Sequence, residues 1–441
     1  MRTARQRILR SLEFICSALI GARQCARVTL SFISVVCALL LSALPASAQG
    51  LTPAWVELGE GGKMIARIVV SSETDCPLIL INALKHHMVV REPVPAGFRP
   101  VCEFEVPPAT KAATINFRPL ILPKSDPDRI IAFGDTGCRI KGKQIQNCND
   151  PDTWPFKKIA MSVDTDKPGL VIHVGDYLYR ESPCPESSQS FCGGTPIGDN
   201  WDAWNADFFS PAARLLTRAP WVFTRGNHED CNRAWRGWFY YLDPRPWTGT
   251  CEAYTQPYVV KLGSFQLAVL DTSAIKEDDL DEKQVATFAA QLASLHVENA
   301  WLITHHPFWG FRPDFHGGPS VSLVASLQAA WEKAAPTGIS LILSGHVHLF
   351  EYVNVDHDRP SQMVVGDGGT ELSIPIEISA NGARIHGASV VSGRTQDQFG
   401  YSLFARAGNS WKMELRNKER NVMVICTVPG SSADCQTAGP N

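Results

Sequence analysis

At 441 residues and 44% hydrophobic content the chain can bury a sizeable core, and its length alone gives an expectation of about two to three domains. Forty-one Lys and Arg against 44 Asp and Glu leave a net charge of −3. That balance argues against a nucleic acid held through its backbone, because such affinity comes from clustered cations.

Residues 1–48 read as an address rather than as fold. Arg2, Arg5, Arg7, Arg10, Arg23 and Arg27 precede an apolar stretch at 28–44, and Ala46-Ser47-Ala48 offers a small-residue cleavage site that leaves Gln49 as the mature start. A signal peptide cleaved after Ala48 makes the protein secreted or periplasmic. The alternative is an uncleaved anchor, for which the apolar stretch is slightly short against a bilayer core of about 30 Å. No other segment reads as membrane-spanning. Without the leader, 35 basic residues face 43 acidic ones, a net of −8, so an anionic substrate would need bound metal to supply local positive charge. Ten Cys remain, an even count that points to disulfides in an exported chain. They fall in close sequential pairs: Cys76 with Cys102, Cys138 with Cys148, Cys184 with Cys192, Cys231 with Cys251, and Cys426 with Cys435. A zinc-finger reading fails because the mature chain has no Cys-x-x-Cys pair.

Short β-type runs at 66–70, 78–81, 88–90, 101–106 and 113–117, separated by Pro, Gly and polar turns, predict a small β-rich amino-terminal domain over 49–123. A Pro-rich stretch at 119–128 reads as a linker. The rhythm then changes. Buried strands are expected at 130–133, 170–174, 221–224, 265–270, 300–303 and 340–343, where β-branched and other apolar residues run together. Val285, Phe288, Ala289, Leu292 and Leu295 fall at helical spacing after the acidic start at Asp281, and 321–335 is a second helix candidate. Closing strands are expected at 401–404, 412–415 and 423–426. The alternation implies an α/β fold with helices covering a central sheet, extending over 124–441.

Five of the apolar runs end in ligand-type side chains: Gly134-Asp135-Thr136-Gly137, Gly175-Asp176-Tyr177-Leu178-Tyr179, Gly226-Asn227-His228-Glu229, Thr304-His305-His306-Pro307 and Gly345-His346-Val347-His348. Open α/β sheets bind ligands outside the carboxyl ends of their strands, so segments distant in sequence would converge on one rim. Together they carry enough donors for two adjacent cations, which points to metal-assisted hydrolysis of phosphate esters. Two cations about 3.5–4 Å apart need a bridging ligand, a role suited to the two oxygens of a carboxylate; Asp176 is the expected bridge. His173 points from a strand interior and reads as a satisfied core histidine. Gly366-Asp367-Gly368-Gly369 follows a strand and lacks a P-loop Lys, so it reads as a turn near the site wall.

In order and spacing these segments resemble the calcineurin-like metallophosphoesterases over about 129–352, and within them the purple acid phosphatase branch. Many relatives carry His two residues after the first Asp, where this chain has Gly137. The purple branch has Gly there and supplies a Tyr three residues after the bridging Asp, as Tyr179 stands to Asp176. The resemblance implies a four-layer α/β/β/α sandwich and two metal sets: Asp135, Asp176, Tyr179 and His348 for the first, Asp176, Asn227, His305 and His346 for the second. A hard phenolate donor favours Fe(III) at the first position. Neutral Asn227 and two imidazoles suit Zn, Fe(II) or Mn at the second. His228 becomes a group that contacts phosphate or protonates the leaving alcohol, and Asn227 a further substrate contact; His306 either contacts substrate likewise or only packs beside Pro307. The family's reaction, attack on phosphorus by metal-bound hydroxide, would make this an acid-phosphatase-like enzyme acting on a small-molecule phosphate monoester. One departure is Phe350-Glu351-Tyr352, where the purple branch often has Tyr-Glu-Arg. A phosphodiesterase or nucleotide hydrolase on the same metals is the enzyme alternative, and a non-catalytic metal-binding surface protein the alternative from another class.

Overall fold

Side chains in the central strands alternate between two apolar surroundings, so each sheet is covered on both faces. Ile130 and Ala132 point one way and Ile131 and Phe133 the other; Trp301 and Ile303 oppose Leu302 in the same manner. In the computed structural model, which describes residues 53–438 apart from 278, 314–318, 321–323, 357–358, 376–383, 386–387 and 429–432, these strands belong to two large mixed sheets. The expected leader at 1–48 lies outside the described residues.

In the first sheet Arg129–Phe133, Leu170–His173, Pro220–Phe223 and Ala54–Leu58 run parallel. Antiparallel strands flank them, Gly400–Ala407, Ser410–Asn417, Val422–Val428 and Asp434–Thr437 on one side and Met64–Val69, Val101–Val106 and Val89–Val90 on the other. The second sheet has Phe265–Val269, Ala300–Ile303, Ile339–Ser344 and Ser361–Val365 in parallel. Facing residues of the two sheets, among them Ala132, Ile172, Val222, Leu267, Ile303 and Leu343, form one shared core. Phe156–Asp166 and Ser210–Leu216 cover the outer face of the first sheet, and Glu282–Ala293 and Ala325–Ala334 that of the second. The result is the expected α/β/β/α sandwich.

The amino-terminal region is β-rich, as expected, and among the described residues its first strand joins the layered body. From Thr52 onward the chain forms one compact unit. Ala54–Leu58 pairs in parallel with Pro220–Phe223, register Val56 to Pro220, so the first strand is seated inside the first large sheet. Four further strands, Leu84–His87, Leu78–Ile81, Ala113–Ile115 and Arg118–Leu120, make a small sheet of their own, and the last of these occupies part of the expected linker. All five cysteine pairs form as the spacing predicts. Among the described residues no helix is long and apolar enough to cross a membrane.

Candidate metal centre

Three of the ligand-type residues, Asp135, Asp176 and His346, adopt left-handed backbone conformations with φ of 54°, 60° and 73°. Non-glycine residues seldom do so, and such strain is held only where the surroundings fix it. Here the turns are locked to one another. Asp135 N donates to Gly175 O and Thr136 N to Asp176 O, at 2.9 and 3.0 Å. His346 N donates to both oxygens of Asp135 at 3.1 Å, and His228 N donates to Asp176 Oδ1 at 2.9 Å. Each chain reversal just past a strand end therefore aims its side chain at the common rim. Gly226 has to be glycine, because a Cβ there would collide with the Asp176 carboxylate.

The seven metal-type side chains expected from the sequence come together. Tyr179 Oη lies 2.6 Å from Asp176 Oδ2, 2.9 Å from His348 Nε2 and 3.3 Å from Asp135 Oδ1. Asn227 Oδ1 lies 2.9 Å from His305 Nε2 and 3.1 Å from His346 Nδ1. His305 Nε2 is 3.3 Å from Asp176 Oδ2, so that single carboxylate oxygen touches both groups. Donor atoms about 2.0–2.2 Å from a shared cation stand roughly this far from one another. Gly137 makes room for the tyrosine: a Cβ there would lie 2.8 Å from Tyr179 Cδ2 and 2.8 Å from its backbone N. Tyr177, by contrast, is buried among Trp204, Phe208 and Trp238, and its hydroxyl donates to Thr224 O.

Two imidazoles have their remote nitrogens beside backbone carbonyls. His305 Nδ1 is 2.9 Å from Val174 O and His348 Nδ1 2.9 Å from Glu371 O. With the proton placed there, each Nε2 presents a lone pair to the centre. His173 is a core residue as expected, fully buried, stacked on Tyr177 at 4.0 Å and paired with Thr136 Oγ1 at 3.0 Å.

Electrostatics match the donor chemistry. Burial pushes the Asp135 carboxyl well above the usual carboxylate range, and neighbouring Asp176 adds to the effect. Burial acts the same way on Asp176, but His305 and His228 outweigh it and hold that carboxyl well below its ordinary value. Burial, then Asp176 and Asp135, drive the Tyr179 phenol well up. Two carboxyls and a phenol packed in a buried space repel as anions; cations among them reverse that logic and stabilise every deprotonated donor. The residues present therefore fit a pair of metal ions.

Other residues support the centre, Glu229 from within the Gly226-Asn227-His228-Glu229 run and Glu181 and Arg139 from outside every motif. Glu229 is buried and accepts from four backbone amides, those of Asp176, Tyr177, Leu178 and Gly226, at 2.9–3.1 Å. Glu181 Oε1 sits 2.5 Å from His228 Nδ1, and the His228 ring lies 3.8 Å from that of Tyr179. Arg139 places its guanidinium over the Tyr179 ring at 5.0 Å, with Nη2 3.5 Å from the His348 ring nitrogens. His306 is fully buried, its Nδ1 3.3 Å from Thr272 Oγ1 and its ring against His346 at 4.2 Å. That position packs it behind His346, in line with the packing alternative. Gly366-Asp367-Gly368-Gly369 follows Ser361–Val365 and packs under Asp135, with Gly368 N donating to Gly134 O at 3.0 Å.

The calcineurin-like phosphoesterase family model matches residues 128–350, just over half of the chain, and the chain belongs to that family. It is thus built as a metal-dependent phosphoester hydrolase with a binuclear-type site. No curated protein sequence matches it. Among solved structures, it resembles a purple acid phosphatase, PPD1, isolated from yellow lupin (Lupinus luteus) seeds, at 13% identity and a TM-score of 0.54, covering 84% of this chain and 72% of that one. It is also similar to PhoD, at 11% identity and a TM-score of 0.54, covering 90% of this chain and 94% of that one.

Proposed function

We propose that this protein is an exported phosphomonoesterase of the purple acid phosphatase branch. The observation that carries the reading is Tyr179 Oη, set within hydrogen-bonding reach of Asp176, Asp135 and His348 in the space left by Gly137. Asp135, Asp176, Tyr179 and His348 would hold Fe(III), and Asp176, Asn227, His305 and His346 would hold Zn, Fe(II) or Mn. Such a pair supplies an acidified water for attack and positive charge for the phosphoryl oxygens.

The remaining work falls to the chain. Asn227 and His346 are the partly exposed members of the cluster, so the phosphate reaches the centre on their side. His228 stands over Tyr179 with Nε2 3.9 Å from Asp176 Oδ2, close enough to the centre to give a proton to the departing alcohol. Burial lowers its pKa, while Asp176 and Glu181 favour the protonated ring. Glu181 also fixes the ring through Nδ1. Five disulfides support export to an oxidising compartment.

Protein purified without chelator should contain iron and show a tyrosinate charge-transfer band in the visible, and Tyr179→Phe should abolish the band. A colourless, iron-free but active enzyme would move the assignment to a manganese or zinc phosphoesterase. Parallel assays on a monoester and a bis-ester separate monoesterase from diesterase, with faster turnover expected for the monoester.

A further inference from the structure

His346 differs from the other two imidazoles of the cluster. His305 and His348 each turn the nitrogen away from the centre towards a backbone carbonyl. His346 turns Nδ1 inward, 3.1 Å from Asn227 Oδ1, and its outward Nε2 faces a carboxylate, Glu277 Oε1, at 3.4 Å. Glu277 lies on the segment between Phe265–Val269 and Glu282–Ala293, outside every ligand motif.

The carboxylate is itself held. Arg312 Nη1 donates to Glu277 Oε2 at 3.0 Å, and the segment carrying Arg312 is anchored where Phe311 N donates to the buried Glu351 Oε1 at 2.9 Å. His306 closes the arrangement. Its ring tilts by 37° against His346 at 4.2 Å, and its Nε2, which has no hydrogen-bond partner among the described residues, lies 3.9 Å from Glu277 Oε1. The same carboxylate thus faces the outer nitrogens of two adjacent imidazoles.

We infer that Glu277 is the positioning residue of the second cation pocket: its carboxylate keeps the proton of His346 on Nε2 and aims Nδ1 at the cation held with Asn227 and His305. A carboxylate behind an imidazole fixes its tautomer and strengthens it as a donor, and removing such a partner typically costs about 10–100-fold in metal affinity. Among the described residues the remote nitrogens of His305 and His348 face backbone carbonyls rather than a carboxylate, so the effect falls on one pocket. The inference rests on the proposed metal centre.

The test is calorimetric titration of Zn²⁺ into the full mature protein stripped of metal. Wild type is expected to bind two equivalents. Glu277→Ala should keep one event at wild-type affinity and weaken the other about 10–100-fold, with metal-free melting unchanged. Glu277→Gln keeps an acceptor oxygen and should recover most of the loss. Two wild-type events in Glu277→Ala would overturn the inference, as would a Gln variant no better than Ala. It would equally fall if wild type took a third equivalent that Glu277→Ala lost, since Glu277 would then be a ligand. If Glu277→Ala does not fold, Arg312→Ala is read instead: a weakened second event supports the role and unchanged affinity refutes it. Fewer than two equivalents in wild type would remove the metal-centre reading itself.

Discussion

Gly137 and Tyr179 form a matched pair, forty-two positions apart in sequence and in contact in the fold. Their complementarity predicts that even a methyl group matters: Gly137→Ala should push the phenol ring off Asp176 and shift or bleach the visible band, as read by absorption of the iron-loaded protein. His228 gives a different signature. Its loss in His228→Asn should lower kcat by about 10²–10⁴, the usual worth of a positioned proton donor, while elemental analysis still finds both metals. The side chains that converge on the rim were legible in the sequence because they are polar, ligand-type groups ending apolar runs. Glu181 and Glu277 were not, and Glu229 stood out only as a polar member of its run, with no role attached. A glutamate in a loop looks the same whether it faces water or an imidazole, and only folding brings Glu277 beside His346.

At the scale of elements, strands buried on both faces read clearly because their apolar runs are continuous, and expected and observed boundaries agree to within one or two residues at Arg129–Phe133, Ala300–Ile303 and Ile339–Ser344. Flanking elements were harder. Phe156–Asp166 starts without a side-chain cap after Pro155, and Tyr258–Leu262 is an edge strand whose second face holds only Val259 and Lys261; neither carries a start signal of the kind Asp281 gives Glu282–Ala293, where its side chain accepts from Lys283 N and Gln284 N. The turn after Ser361–Val365 yields a pH prediction. Asp367 is fully buried, with neither carboxylate oxygen hydrogen-bonded among the described residues, and burial pushes its pKa up to about 7. Unfolded, the group ionises near 3.8, so between those values the unfolded chain binds fewer protons and stability falls as pH rises. Asp367→Asn removes that slope. Urea unfolding at a series of pH values should show the variant gaining on wild type by up to about 4 kcal/mol between pH 4 and 8, at 1.36 kcal/mol per pKa unit, with no relative gain below pH 4.

Across the whole molecule, the layered architecture followed from the alternation of strand and helix patterns, whereas the membership of the sheets did not. Nothing in residues 54–58 states that their partner is 220–223, since parallel pairing leaves no local turn to read. The five disulfides are the main covalent restraint. Cys231–Cys251 closes the segment just after Glu229, and Arg225, which donates to Glu229 O at 2.8 Å, also reaches Cys251 Sγ at 3.2 Å. Replacing both cysteines by Ala should cost about 3 kcal/mol, within the usual range of 2–5, measurable as a lower urea midpoint. Pro220–Phe223, the strand that leads to Asn227, is completed on one side by Ala54–Leu58. A ribosome releases that partner early and must add well over a hundred residues before its docking place exists. Contacts so remote along the polymer slow folding, so the earliest hairpin, Ala54–Leu58 with Met64–Val69, waits with one edge open during synthesis, and catalytic competence arrives as a late, concerted event rather than growing with the nascent chain.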